Sequence, residues 1–160
     1  MPRSEQQIIQ NLIEKWIPLA LEYAAGAPGV STLYIYAGSE LGGKYANAFF
    51  EQHGDVVYPG RLDTPQKKPG MVFQMQELLL EDLNEAEREF KAAGIPCPTE
   101  YRVTYEPDPG RLDVQLSHEL KYANHPTKIL EEGPEDWLDG RLEKRLGKLT
   151  PTEQQRRELQ

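Results

Sequence analysis

Between Met71 and Ala93 apolar residues return at the helical period. Val72, Met75, Leu79, Leu83, Ala86 and Phe90 mark one buried stripe. Glu77, Glu81, Glu85 and Glu89, spaced by four, form an acidic row on another side, joined by Asp82 and interrupted by Arg88. Gly94 sits where a left-handed cap belongs, Ile95 can supply the accompanying apolar contact, and Pro96 prevents continuation. Like charges four apart weaken a helix slightly, so the buried stripe must hold it. Two readings of the row stay open: a solvated helix face, or a docking surface for a basic partner.

A second helical pattern opens the chain. Ser4 with Gln7 fits a capping box, and Ile8, Ile9, Leu12, Ile13, Trp16 and Ile17 make a wide apolar stripe. Pro18 lacks an N–H and clashes with the carbonyl four residues back, so a kink or break is expected there, with the helix over by Gly26.

Period-two patterning follows. Leu33, Ile35 and Ala37 alternate with Thr32, Tyr34 and Tyr36, and Gly42 and Gly43 read as a turn. Tyr45–Phe50 and Val56–Tyr58 read as two further strands, and residues 59–70 as a loop rich in Pro and Gly. Residues 99–117 form the clearest hairpin. Tyr101, Val103 and Tyr105 face one way, Leu112, Val114 and Leu116 continue the apolar set, and Pro107–Gly110 make the turn. Residues 118–134 read as irregular. Pro134 suits a helix start, with Trp137, Leu138, Leu142, Leu146 and Leu149 able to pack back and Gly140 weakening the helix. The pattern predicts an α+β fold of order α-β-β-β-α-β-β-α, with helices packed on an antiparallel sheet. Residues 1–149 are expected to form one domain. Residues 150–160 read as a polar tail, where Thr150, Pro151 and Glu153 signal a short helix.

Composition sharpens the picture. A hydrophobic fraction of 38% suffices for a core, and the formal charge is −8. Residues 139–160 hold six Lys/Arg against four Asp/Glu, which leaves −10 on residues 1–138. A body that acidic repels phosphate backbones and attracts basic proteins, so direct nucleic-acid binding is not expected and a protein partner is. The lone Cys97 excludes an internal disulfide, and no apolar run approaches a membrane span. With a single cysteine, a reducing cytoplasm is the expected setting, and the N-terminus lacks the charged-then-apolar form of a signal peptide.

Catalytic patterns are sparse. His53, His118 and His125 stand in no metal-ligand spacing, and no phosphate-binding glycine fingerprint is present. Ser117, His118 and Asp113 offer triad residue types, but strand neighbours point to opposite faces. The expectation is a protein with no enzymatic activity, no metal and no cofactor. The candidate partner-binding residues are Glu77, Leu78, Glu81, Asp82, Glu85 and Glu89 on the acidic helix, with Tyr34 and Tyr36 on the first strand. These two tyrosines have opposite parity to Leu33 and Ile35. They are either exposed anchors for an interface or filling for a second covered face of the sheet.

The sequence resembles a known family. The resemblance is carried by Leu33–Ala37 (LYIYA), Ala46–Phe50 (ANAFF), Leu79–Phe90, Thr99–Tyr105 (TEYRVTY) and Gly110–Ser117 (GRLDVQLS). In order and motif these are similar to the YezG-like immunity proteins, which neutralise bacterial nuclease toxins. The resemblance spans roughly residues 5–140 as pattern more than signature. Gly110, Arg111, Leu112 and Asp113 match the start of a family strand, whereas Ser117–Leu120 replaces its aromatic-acidic continuation, and Trp137 corresponds to a late family tryptophan. The resemblance implies an antitoxin that binds a cognate toxin, a basic nuclease domain, stoichiometrically through charge. The alternative is a type III secretion chaperone, small, acidic and dimeric, holding an effector segment in an apolar groove. Whether the acidic row is buried in a homodimer stays open.

Overall fold

The apolar stripes and strands assemble as their parity demands in a computed structural model that describes residues 3–143. The elements are α1 (Glu5–Tyr23), β1 (Val30–Glu40), β2 (Gly43–Gln52), β3 (Asp55–Val57), α2 (Met71–Ala93), β4 (Glu100–Glu106), β5 (Arg111–Ser117) and α3 (Gly133–Trp137). The strands form one antiparallel sheet in the order β3-β2-β1-β4-β5. The expected α+β class and element order are the observed ones. Leu146, Leu149 and the 150–160 tail lie outside the described residues.

Helix α1 opens with the expected capping box. Ser4 Oγ accepts from the Gln7 amide at 3.2 Å, and Gln7 Oε1 accepts from the Ser4 amide at 2.9 Å. Pro18 does not break the helix, which runs on to Tyr23. Buried Ile13 and Trp16 before it, and Ala20 and Tyr23 after it, anchor both sides to the same core. Packing thus outweighs the one lost backbone hydrogen bond.

The β1–β2 turn falls one residue earlier than the sequence reading places it. Leu41 and Gly42 both have positive φ, at 48° and 87°, while Gly43 already pairs with Glu40. Two consecutive left-handed residues match the right-handed twist of the flanking strands. The 59–70 loop is tied down by Gln52, whose amide contacts the Pro28 and Asp63 carbonyls and the Asp63 N–H at 2.8–3.0 Å.

One face of the sheet carries Leu33, Ile35, Ala37, Ala48, Phe50, Tyr101 and Val103, all fully buried beneath α1 and α2. Helix α2 contributes Met75, Leu79, Leu83, Ala86 and Phe90 to this core, with Val72 packed at its margin. The Trp16 indole N–H donates to the Leu79 carbonyl at 3.0 Å and locks the two helices together. Gly94 ends α2 with φ 69°, and the Ile95 amide donates to the Phe90 carbonyl.

The opposite face is also covered, but only in part. Residues 118–143 return across β1–β3 and seat Leu138 and Leu142 among Tyr34, Tyr36, Phe49, Val56 and Tyr58. Helix α3 is a single short turn ending at Trp137, and Gly140 with φ 81° turns the chain so that Leu142 bridges Val56 in parallel. The expected return of Trp137, Leu138 and Leu142 to the body therefore occurs through a strap and not through a long helix.

Candidate partner-binding surface

The acidic row on α2 divides in two. Glu77 and Glu81 are exposed and make no ion pair among the described residues. Glu85 and Glu89 turn toward α1. Lys15 Nζ lies 2.7 Å from Glu85 Oε2, and Arg3 Nη1 lies 3.2 Å from Glu89 Oε1. The neighbouring Lys15 holds the Glu85 carboxyl below the usual range. Asp82 is half-buried beside them. Desolvation raises its pKa, opposed by Lys15 and assisted by Glu85 and Glu81. Half of the row is thus an interhelix clasp, which the spacing of four alone does not disclose. Leu78 is half-buried and lines a shallow hollow with Leu19, Tyr23, Met71 and Met75.

Tyr34 and Tyr36 do not form an exposed patch. They are 4% and 0% exposed, because the strap covers them. The Trp137 ring stands edge-on to Tyr34 at 5.6 Å, and Arg141 lies over the Tyr34 ring at 5.3 Å while donating to its hydroxyl at 3.0 Å. Of the two readings left by strand parity, the covered second face is the one observed.

The strap and the sheet beneath it are joined by carboxylate contacts; of these residues the sequence singles out only Glu135 and Asp136, as acidic residues suited to a helix start. Tyr36 donates to Glu100 at 3.0 Å, Tyr58 to Glu135 at 2.7 Å and Tyr122 to Asp136 at 2.9 Å. Glu40, at the end of β1, accepts the Tyr122 and Ala123 amides at 3.1 and 3.0 Å. Glu100 also lies 2.9 Å from Lys121 Nζ and 3.0 Å from Arg102 Nε. Burial, reinforced by Glu100, pushes the Tyr36 hydroxyl well above the ordinary phenol range, and burial pushes Tyr45 up to about 12. The Tyr36 hydroxyl therefore stays a donor to Glu100 near neutral pH, while the Tyr45 hydroxyl accepts from Asn47 Nδ2 at 3.0 Å. Glu87 is buried likewise, where Ser39 donates to it at 2.7 Å and Lys44 lies 2.6 Å away. Its signal was present, since Glu87 sits four after Leu83 and three before Phe90 on the apolar stripe.

No family model matches the chain, and no curated protein matches it.

Two further surfaces remain. Ile9 and Ile13 of α1 and Leu112, Val114 and Leu116 of β5 line a groove of about 780 Å³, rimmed by Glu5, Gln6, Gln10 and Glu14. On the other face, a polar hollow of about 780 Å³ lies among Thr32, Glu51, Thr104, Glu106, Gln115 and Trp137. Ser117 Oγ accepts the Glu119 amide, and His125 Nδ1 accepts the Thr127 and Lys128 amides, so neither is joined to a catalytic partner by these bonds. Among the described residues, no cluster of three His, Cys, Asp or Glu side chains is placed to hold a metal ion. Among them, no helix is long and apolar enough to cross a membrane.

Proposed function

We propose that this chain is an immunity protein that binds a basic toxin domain, a nuclease, and blocks it stoichiometrically. The observation that carries the reading is the outward presentation of Glu77 and Glu81 on a chain of formal charge −8. A nuclease must be basic where it grips phosphates. An acidic protein can occupy that surface by offering carboxylates where the nucleic acid offers phosphates. The resemblance in sequence pattern to the YezG-like immunity proteins supports the same reading. The clasp formed by Glu85 and Glu89 narrows the proposed contact to Glu77, Glu81 and the adjoining Leu78 and Asp82. On this reading the protein works in the cytoplasm, without a cofactor or a catalytic step.

A secretion chaperone is the second reading, and the apolar groove between α1 and β5 favours it. The two separate on one experiment. Each open reading frame beside the gene is co-expressed with this chain. An immunity protein rescues growth from an otherwise lethal neighbour and co-purifies with it in fixed stoichiometry. A chaperone instead raises the solubility of a neighbour that does not arrest growth.

A further inference from the structure

The two edges of the sheet are treated differently. Edge strand β3 is met by Leu142, which bridges Val56. Edge strand β5 pairs with β4 in unbroken register from Glu100↔Ser117 to Glu106↔Arg111, and no described strand pairs with its outer side. Strand edges are ordinarily blunted by a proline, a bulge or an inward charge. Residues 111–117 hold no proline, their register shows no bulge, and their inward positions are Leu112, Val114 and Leu116. Leu112 is 47% exposed, whereas Tyr101 and Val103 on the neighbouring strand are fully buried. Helix α1 stands across the gap, and its Glu5, Ile9, Ile13 and Glu14 line the groove opposite the strand.

We propose that this groove is a docking site for an extended partner segment, apolar at its centre and basic at both ends, which adds to β5 as a further strand. The edge amides and carbonyls of β5 would supply backbone pairing, and alternate side chains would fill the space beside Ile9, Ile13 and Val114. Charge selects the occupant. None of the lining residues is cationic, and Glu5 and Glu14, both exposed, border the groove nine residues apart on α1, two and a half turns and hence on opposite flanks of the Ile9 and Ile13 stripe. Basic side chains on either side of a short apolar run would therefore each have a carboxylate to meet. A second copy of this chain is disfavoured. It would carry its own −8 to the seam and set its α1 carboxylates near these. The proposal takes from the antitoxin reading only the sign of the partner's charge.

The test uses the full chain and the labelled nonapeptide KKVTVTVKK, with EEVTVTVEE as control, followed by fluorescence anisotropy at low salt. The lysine peptide is expected to bind at least about tenfold more tightly than the control. Binding should slow amide exchange across residues 111–117. Leu112→Lys, at a half-exposed position, should weaken binding about tenfold. Glu5→Lys with Glu14→Lys, at two exposed positions of α1, should reverse the peptide preference. Glu77→Lys with Glu81→Lys should leave it intact, which separates this site from the acidic row. Equal binding of the two peptides, no binding, indifference to Leu112→Lys, or a dimer in sedimentation that Leu112→Lys dissociates would each overturn the proposal.

Discussion

Lys15 Nζ reaches Glu85 Oε2 at 2.7 Å, so the third carboxylate of the acidic row holds α1 against α2. Both side chains remain partly in water, and a pair so placed contributes modestly. Glu85→Gln should cost about 0.2–1 kcal/mol at neutral pH. Because Lys15 lowers the folded-state pKa of Glu85, the contribution is present above the unfolded pKa and lost as pH falls through the folded one. Thermal melts of the two proteins should differ at pH 7 and converge in acid. A gap that widens in acid contradicts this.

Asp82 carries the opposite sign. Its pKa is raised in the fold, chiefly by desolvation, so ionisation at neutral pH works against folding. Its favourable contribution is complete below the unfolded pKa and disappears as pH rises through the folded one. Asp82→Asn should therefore melt at or above the wild-type temperature at pH 7, and lose any advantage below about pH 4. A lower melting temperature at pH 7 would show that Asp82 is held by a favourable contact.

Leu79 and Glu81 lie two residues apart on α2 yet belong to different faces. Leu79 is fully buried, and Leu79→Ala should cost about 2–4 kcal/mol. Glu81→Ala should be nearly neutral, because it removes like-charge repulsion. Chemical denaturation of both variants measures the difference, and equal midpoints would refute the division of the helix.

The strap depends on the contact between Tyr36 and Gly133. A Cβ on Gly133 would overlap the Tyr36 ring, so Gly133→Ala should cost about 1–3 kcal/mol and loosen residues 118–143. Tyr36→Phe deletes the donor to buried Glu100 and should cost about 1.5–3 kcal/mol. Limited proteolysis should cut the strap of Gly133→Ala well before wild type. Identical digestion of the two would contradict the packing.

Period and parity made most of the fold legible. The stripe on α2, the Gly94 cap and the alternation at 33/35 and 101/103 lie where local sequence places them, whereas Leu112, expected to bury with Val114 and Leu116 against the helices, stays 47% exposed. Pro18 does not end α1, because packing on both sides of it outweighs the lost backbone hydrogen bond. The partners of Glu85 and Glu89 are invisible because Lys15 and Arg3 are distant in sequence and meet only when the helices pack. Tyr34 and Tyr36 are covered by a segment that lacks regular periodicity, so parity leaves their exposure undecided. Glu40 and Glu100 carry no local signal of burial, and Glu135 reads only as an acidic residue suited to a helix start. Only three-dimensional proximity to tyrosine hydroxyls and amides reveals why they are buried.

On the proposed function, Glu77 and Glu81 steer a basic toxin domain onto this protein. The most direct test is the association rate of the purified chain with a toxin domain that it rescues in the co-expression experiment, measured from low to physiological salt. The rate should fall steeply as salt rises, since exposed charges are screened over about 8 Å at physiological ionic strength. Glu77→Lys with Glu81→Lys should slow association at low salt by about tenfold or more, with an unchanged melting temperature. A rate indifferent to salt and equal in the charge-reversed variant would contradict the claim.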